Sequence, residues 1–363
     1  MDLDSGEPLP EGEIHTYRYG DETPPPQSNM RGGRRMIHVV SVSGGKDSTA
    51  TYCRAIERGL PFRAVAADTG NEHPATYEAV NTLHIKTGGP KVEWVKADFS
   101  RQIEGKRRFI ERKWEDHGVP ADLVARALAV LHPTGNPFLD LCLWKGRFPS
   151  RKAQFCTEEL KINPIDLNVT RPLLATGATV ISWQGVRAAE SEARKHLPPF
   201  QRIGGQHTDL PGRLYVFRPL LRVTSVEEVF EISRRHGVDP NPLYGWGLKR
   251  VGCFPCINCA KAELALVDSH FPEQIERLDE WERIVSEACK RGHATFFNLV
   301  NDPVMQAEWL ELEKNGRAID RFSLEQFGIR RMVEWAKTER GGRQYSLLAR
   351  DFNTVCNQWG ACE

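Results

Sequence analysis

The stretch VVSVSGGKDSTATYCRAIERG, residues 39 to 59, leaves this chain little freedom in how it can fold. A β-branched apolar run enters Ser43-Gly44-Gly45-Lys46-Asp47-Ser48, and a pattern with helical spacing leaves it. Such a run is a strand buried on both faces, and a helix directly after it makes the first unit of an open α/β sheet. The turn between them suits an anion. Paired glycines let the backbone curl closely round a charged group, while the helix start presents unpaired N–H groups and a positive dipole end. Lys46 adds a point charge, and the Ser43 and Ser48 hydroxyls can donate to phosphate oxygens. Asp47 is acidic and out of place for anion binding alone, which points to a magnesium ion or to a helix cap. The segment is not a Walker A loop, which needs four residues between its glycines. The competing reading is a strand-to-helix turn that holds no ligand.

The alternation continues along the chain. IHVVSVS, FRAVAADTG, VEWVKADF, ATVISWQGV and LYVFRPL read as strands. DSTATYCRAIERG, PATYEAVNTLHIKTG and SVEEVFEISRRHG read as helices, each ending at a glycine where a C-cap belongs. The expected fold is a doubly wound, mostly parallel α/β sheet over residues 36–264. Residues 100–155 read as a basic helical insertion, and 265–363 as a C-terminal helical subdomain. Residues 1–35, polar and closing on TPPPQSNMRGGRR, read as a flexible N-terminal tail.

At 363 residues, 40% hydrophobic and a net charge of +1, the chain can bury a large core and carries no global pull towards nucleic acid or membrane. It contains no apolar run of about 18 residues and no signal-peptide pattern, so a cytoplasmic protein is expected. Disulfides rarely persist there, yet the chain has nine cysteines. Cys253, Cys256 and Cys259 stand at Cys-x2-Cys-x2-Cys spacing, which suits one compact inorganic core. Zinc more often takes two separated knuckles, and plain buried cysteines are the third reading. Cys53, Cys142 and Cys289 read as core, whereas Cys356 and Cys362 stay open between a redox role and a frayed end.

Ser43 to Ser48 is the signature hexapeptide of the PP-loop ATP pyrophosphatases, and the chain resembles that family at every position of it. The resemblance implies ATP with its pyrophosphate against Ser43, Gly44, Gly45, Lys46, Asp47 and Ser48. Cleavage falls between the α and β phosphates, Mg2+ shares the charge, and AMP passes to an acceptor. Further segments resemble the branch of phosphoadenylyl-sulfate (PAPS) and adenylyl-sulfate reductases. In ADTGNEHPATYE, Asp68 and Thr69 would face the nucleotide. FCTEELKINP carries the Cys-x4-Lys-x2-Pro pattern with Lys161. GVRAAESEAR starts at Gly185, and its Arg187 and Arg194 would meet phosphate or sulfate oxygens. RPLLRVTSVEEV and HGVDPNPLYGWGLKRVGC extend the likeness, which runs in order from residue 37 to 265. It assigns the chemistry to Lys46, Asp47, Lys161 and Arg187. Aligned on Lys161 with the cluster-bearing reductases, Cys156, Cys253, Cys256 and Cys259 become the ligands of a 4Fe–4S cluster, with Thr157 where a second paired cysteine would stand.

The likeness to the reductases breaks in two places. They usually carry a degraded loop, and they deliver a C-terminal Glu-Cys-Gly type cysteine where this chain ends VCNQWGACE. An intact loop beside a cluster resembles instead the ATP pyrophosphatases of DNA phosphorothioation systems, of the DndC and SspD type. That resemblance implies a DNA acceptor, a cysteine desulfurase as sulfur donor, and other modification-system proteins as partners. PAPS reduction and tRNA thiolation are the alternatives. EGKRRFIERKW and LWKGRFPSRK set Lys106, Arg107, Arg108, Lys145, Arg147, Arg151 and Lys152 among Phe109, Trp114, Trp144 and Phe148. Charge beside stacking faces suits a nucleic-acid backbone, against the alternative of a solvated helix face. WAKTERGGRQYSLL has a similar character.

Overall fold

Met36–Ser41 (β1) sends alternate side chains into two different cores. Val39 joins Val65, Val180 and Leu214 on one face, packed with Val169 and Leu174. Val40 joins Ala64, Ile181 and Trp183 on the other, packed with Tyr52, Leu83 and Val229. Both faces are covered, which is why β1 reads as a continuous apolar run. In this computed structural model the described residues are 35–204, 207–297, 303–314 and 324–340.

The remaining strands are Phe62–Asp68 (β2), Val92–Lys96 (β3), Thr179–Trp183 (β4), Phe200–Ile203 (β5) and Arg213–Phe217 (β6), in the order β3-β2-β1-β4-β6-β5. All neighbours are parallel except β5, which lies antiparallel on β6. The expected doubly wound sheet is present, with one edge strand that the sequence pattern did not signal.

Lys46–Glu57 (α1), Pro74–Thr87 (α2) and, later in the chain, Val226–Arg234 pack on the Val40 face. The glycines expected to end them do so with left-handed backbone: Gly59, Gly88 and Gly237 have φ of 61, 68 and 70°. The Val39 face is covered by a helical run of unusual build. Phe155–Thr157 leads into a π-turn, Glu158–Ile162, then Asn163–Ile165, a second π-turn, Asp166–Thr170, and Arg171–Ala175. Such widened turns recur at functional sites.

Ser100–Lys113 (α3), Ala121–Val130 (α4) and Pro137–Lys145 (α5) form the expected helical insertion. With Val226–Arg234 numbered α6, the chain continues through Lys261–His270 (α7), Pro272–Glu287 (α8), Pro303–Lys314 (α9) and Ile329–Ala336 (α10). Insertion and C-terminal helices share one hydrophobic cluster, in which Ile103, Ile110 and Phe138 meet Leu264, Trp281 and Met332. The buried Glu282 carboxylate accepts the Phe296 and Ile329 N–H groups, each at 2.7 Å, and so ties α8 to the start of α10. Among the described residues no helix is long and apolar enough to cross a membrane. The N-terminal segment up to residue 34, Cys356, Cys362 and everything past Arg340 lie outside the described residues.

Candidate active site

β1 has β2 on one side and β4 on the other, so the chain departs in opposite directions beside it. In an open α/β sheet, such a reversal opens a crevice at the carboxyl ends of the strands. A cavity of about 420 Å³ lies there, a volume suited to a small molecule. Ser43 reaches it from the turn after β1 and Ser48 from the first turn of α1, Ala67 and Glu72 from β2 and the loop after it, and Gln184 and Gly185 from the end of β4. Lys161, Asp166 and Thr170 reach it from the π-turn helix, spaced so that the widened turns keep them on one face.

Gly44 adopts φ of 78°, and a Cβ there would stand 2.7 Å from Thr76 Cγ2, so only glycine fits. Gly45 caps α1 with no side-chain hydrogen bond. The Ser43 N–H donates to Ser48 Oγ at 3.0 Å, and Ser48 Oγ donates to the Gly45 carbonyl at 3.0 Å. The Lys46 N–H, at the positive end of α1, donates to the Tyr244 hydroxyl at 2.9 Å. Gly185 presses on this turn from β4: a Cβ would stand 2.7 Å from the Asp47 carbonyl carbon.

Asp47 does not cap the helix, contrary to one of the two expectations for it. It is fully buried, pairs with Lys46 Nζ at 3.0 Å, and receives Arg187 Nε on its other oxygen. Arg187 also sits 3.9 Å from Glu190, and Arg194 pairs with the same carboxylate. Both arginines are buried against these acids and neither lines the cavity, where the ligand contact was expected. Among the described residues the lysine and arginine that line the cavity are Lys161 and Arg250; Lys46, like the two arginines, is not part of its lining.

Asp68 and Thr69 stand at the carboxyl end of β2 but likewise turn away from the cavity. Asp68 accepts from Tyr77 at 2.6 Å and from the Gly70 N–H at 2.9 Å. Thr69 donates to Glu72 at 2.6 Å and lies 3.5 Å from the Cys253 sulfur. Thr69 and the Tyr77 hydroxyl orient Glu72, which does line the cavity. Burial raises the Glu72 pKa; Asp68 adds to the rise, and hydrogen bonds and Lys161 oppose it.

Cys253, Cys256 and Cys259 line the opposite wall. Cys156 lies close enough that its thiol, pushed up to about 12 chiefly by burial, also feels Cys253 and Cys256. Lys161 stands among them. Burial disfavours its charge, but the charges of Cys253, Cys256, Glu72 and Cys156 prevail and raise its pKa. A clamp holds the cysteine loop to the sheet: Phe254 N–H donates to the Asn71 carbonyl at 2.5 Å, and Arg277 donates to Asn71 Oδ1 at 2.8 Å and the Phe254 carbonyl at 2.9 Å. Among the described residues no three His, Cys, Asp or Glu groups stand close enough to share one metal ion.

Sequence reasoning passed over Tyr244, Asn71, Glu72, Arg277, Arg250 and the cavity-lining pair His207–Asp166, whose atoms stand 3.2 Å apart. Glu72 was visible in GNEHP, directly after the expected nucleotide strand. The others come from distant segments and carry no local pattern. The basic segments divide in two. Trp114 and Phe148 are core, Lys106 donates to the Leu143 and Ala288 carbonyls, and Arg107 donates to those of Leu128 and Leu131. Arg108, Arg147, Arg151 and Lys152 remain exposed.

Residues 37–259 match the family described as phosphoadenosine phosphosulfate reductase domain. The chain is 46% identical over 339 residues to an uncharacterized 37.8 kDa protein in the gpa 5′ region of Escherichia phage 186, with 90% of this chain and 97% of that protein covered. Among solved structures it is similar to a phosphoadenylyl-sulfate (PAPS) reductase from Candida auris in complex with phosphate, at 16% identity and a TM-score of 0.35, covering 60% of this chain and 82% of that one.

Proposed function

The chain belongs to the phosphoadenosine phosphosulfate reductase domain family, and from that premise we propose that it is an ATP pyrophosphatase that activates an acceptor for sulfur insertion, the acceptor being a DNA backbone phosphate. One observation carries the reading: Ser43 and Ser48, the two ends of the intact turn, line the same cavity as the cysteine triplet and Lys161. A chain that binds only a pre-activated nucleotide has no use for a complete pyrophosphate cradle.

An acceptor oxygen attacks the α-phosphorus of ATP, the bond from that phosphorus to the bridging oxygen breaks, and magnesium pyrophosphate departs against the turn. The N–H groups at the start of α1, with a phosphate oxygen taking the place of the Tyr244 hydroxyl on the Lys46 N–H, and the Lys46 ammonium stabilise the charge that develops on the leaving group. Asp47 and Arg187 hold Lys46 in place from behind. The outer sulfur of a cysteine desulfurase persulfide then attacks the activated acceptor phosphorus and AMP leaves with the displaced oxygen; excess cysteine thiol cleaves the resulting S–S bond by exchange, leaving the phosphorothioate and a disulfide. A 4Fe–4S cluster on Cys156, Cys253, Cys256 and Cys259 would supply a soft docking point for that sulfur. Oligonucleotide treated with chain, desulfurase, cysteine and Mg-ATP should gain the mass of an oxygen-to-sulfur exchange. Unchanged oligonucleotide under all these conditions would remove the proposal.

The family match itself favours a second reading, reduction of a sulfonucleotide. It expects thioredoxin-dependent sulfite release that disappears in Cys356→Ser or Cys362→Ser.

A further inference from the structure

A second cavity, about 1250 Å³, opens between α3, the end of α5 and the segment that follows α8. Its described lining includes Lys106, Lys145, Arg147, Lys290 and Arg291, and no aspartate or glutamate. The whole chain has 49 basic and 48 acidic residues, so this single-signed wall is a local arrangement that focuses positive potential. Lys145 is paired from outside the lining, with Glu159 at 2.9 Å. Arg147, Lys290 and Arg291 are exposed and have no acidic partner among the described residues.

Aromatic faces alternate with these charges. Phe109 lines the groove and is 51% exposed. Trp144 is stacked on Phe99, with Lys145 Nζ 3.6 Å from its ring centre. Trp309 closes the far side against His293, ring centres 6.0 Å apart. The groove is held in shape from below. Lys106 donates to the Leu143 carbonyl at 2.6 Å and to the Ala288 carbonyl at 2.9 Å, joining three helices. Gly146, at φ of 64°, lets them close up, since a Cβ there would stand 3.0 Å from Lys106 Nζ.

Two contacts tie the groove's lining to the segment beside the first cavity. Lys145 pairs with Glu159, whose neighbour Glu158 lines that cavity, and the Arg147 guanidinium lies 5.4 Å from the Phe155 ring, one residue before Cys156.

We propose that this groove binds a single-stranded polynucleotide and leads its backbone towards the thiol-lined cavity, an inference that rests on the sulfur-insertion reading for its purpose and on the groove alone for its chemistry. Phosphates lie against Arg147, Lys290 and Arg291, and unpaired bases stack on Phe109 and Trp309. A duplex hides those base faces and meets only the charges.

The test is fluorescence anisotropy of the full chain with labelled single-stranded DNA and RNA, with duplex DNA, heparin and an acidic peptide as competitors. Wild type should prefer the single strands. Reversing three exposed charges together, Arg147→Glu, Lys290→Glu and Arg291→Glu, should weaken binding by about tenfold or more and lower the salt slope by about 2. Phe109→Ala should weaken it about fivefold or more with the slope unchanged. Both variants should unfold near the wild-type temperature and keep the thermal shift given by ATP. Equal binding by the triple variant, or preference for duplex, heparin or peptide, overturns the groove. Strand binding that depends on the three charges, without any pyrophosphate release, supports the groove and overturns the sulfur-insertion reading. Strand-stimulated pyrophosphate release that is equal in wild type and triple variant does the reverse.

Discussion

The Lys46 backbone N–H donates to the Tyr244 hydroxyl at 2.9 Å, so a donor well placed for an anion at the start of α1 already has an oxygen against it. A phosphate oxygen must take that place. Tyr244→Phe keeps the ring against Phe230, where the centroids are 5.3 Å apart, and removes the competing hydroxyl. One hydrogen bond of about 1 kcal/mol corresponds to roughly fivefold tighter Mg-ATP binding by calorimetry. Unchanged or weaker binding would show that the hydroxyl assists the nucleotide instead.

Gly185 touches the turn's backbone, and backbone cannot swing aside as a long side chain can. Gly185→Ala places a methyl 2.8 Å from the Asp47 carbonyl oxygen and 2.9 Å from the Ser48 nitrogen. The expected cost is about 1–3 kcal/mol in chemical denaturation, together with a marked loss of ATP affinity. A variant as stable as wild type with unaltered ATP binding would mean that β4 does not shape the turn.

The clamp on the cysteine loop predicts metal content. After anaerobic reconstitution, Cys253→Ser should carry little iron. Arg277→Ala keeps every thiol but frees the loop from Asn71 and the Phe254 carbonyl, and should bind iron about tenfold more weakly. Iron and acid-labile sulfide analysis reads both. Wild type that takes up zinc with no sulfide would exclude the cluster.

Glu282 makes stability depend on pH. Burial, with Asp279 adding to it, raises its pKa from 4.5 to about 8, while the two accepted N–H groups pull the other way. The folded state therefore holds this proton more tightly than the unfolded chain. The stabilisation is complete below 4.5 and is lost as pH rises through about 8. The advantage of wild type over Glu282→Gln should shrink across that window by on the order of 2 kcal/mol, read from urea midpoints at several pH values. A constant difference would contradict the assignment.

How much of this was legible in the sequence follows from how local each signal is. Val39 and Val40 declare a doubly covered strand, and Gly59, Gly88 and Gly237 end their helices because only glycine adopts those turns cheaply. The edge strand Phe200–Ile203 is short and only partly buried, so it leaves no clear alternation. The π-turns arise from packing around the cavity, and no residue pattern marks them. The family resemblance sets Arg187 and Arg194 against phosphate or sulfate oxygens; their pairing with Asp47 and Glu190 exists only in three dimensions and leaves no local pattern. Lys106 and Arg107 look like surface charge in the sequence, yet they satisfy helix-end carbonyls.

Products formed from Mg-ATP test the central claim most directly. Wild-type holoprotein with single-stranded oligonucleotide should release AMP and pyrophosphate, and Lys46→Ala should release neither. Formation of ADP and phosphate, or ATP left intact by wild type while Lys46→Ala behaves identically, would contradict the account at its root.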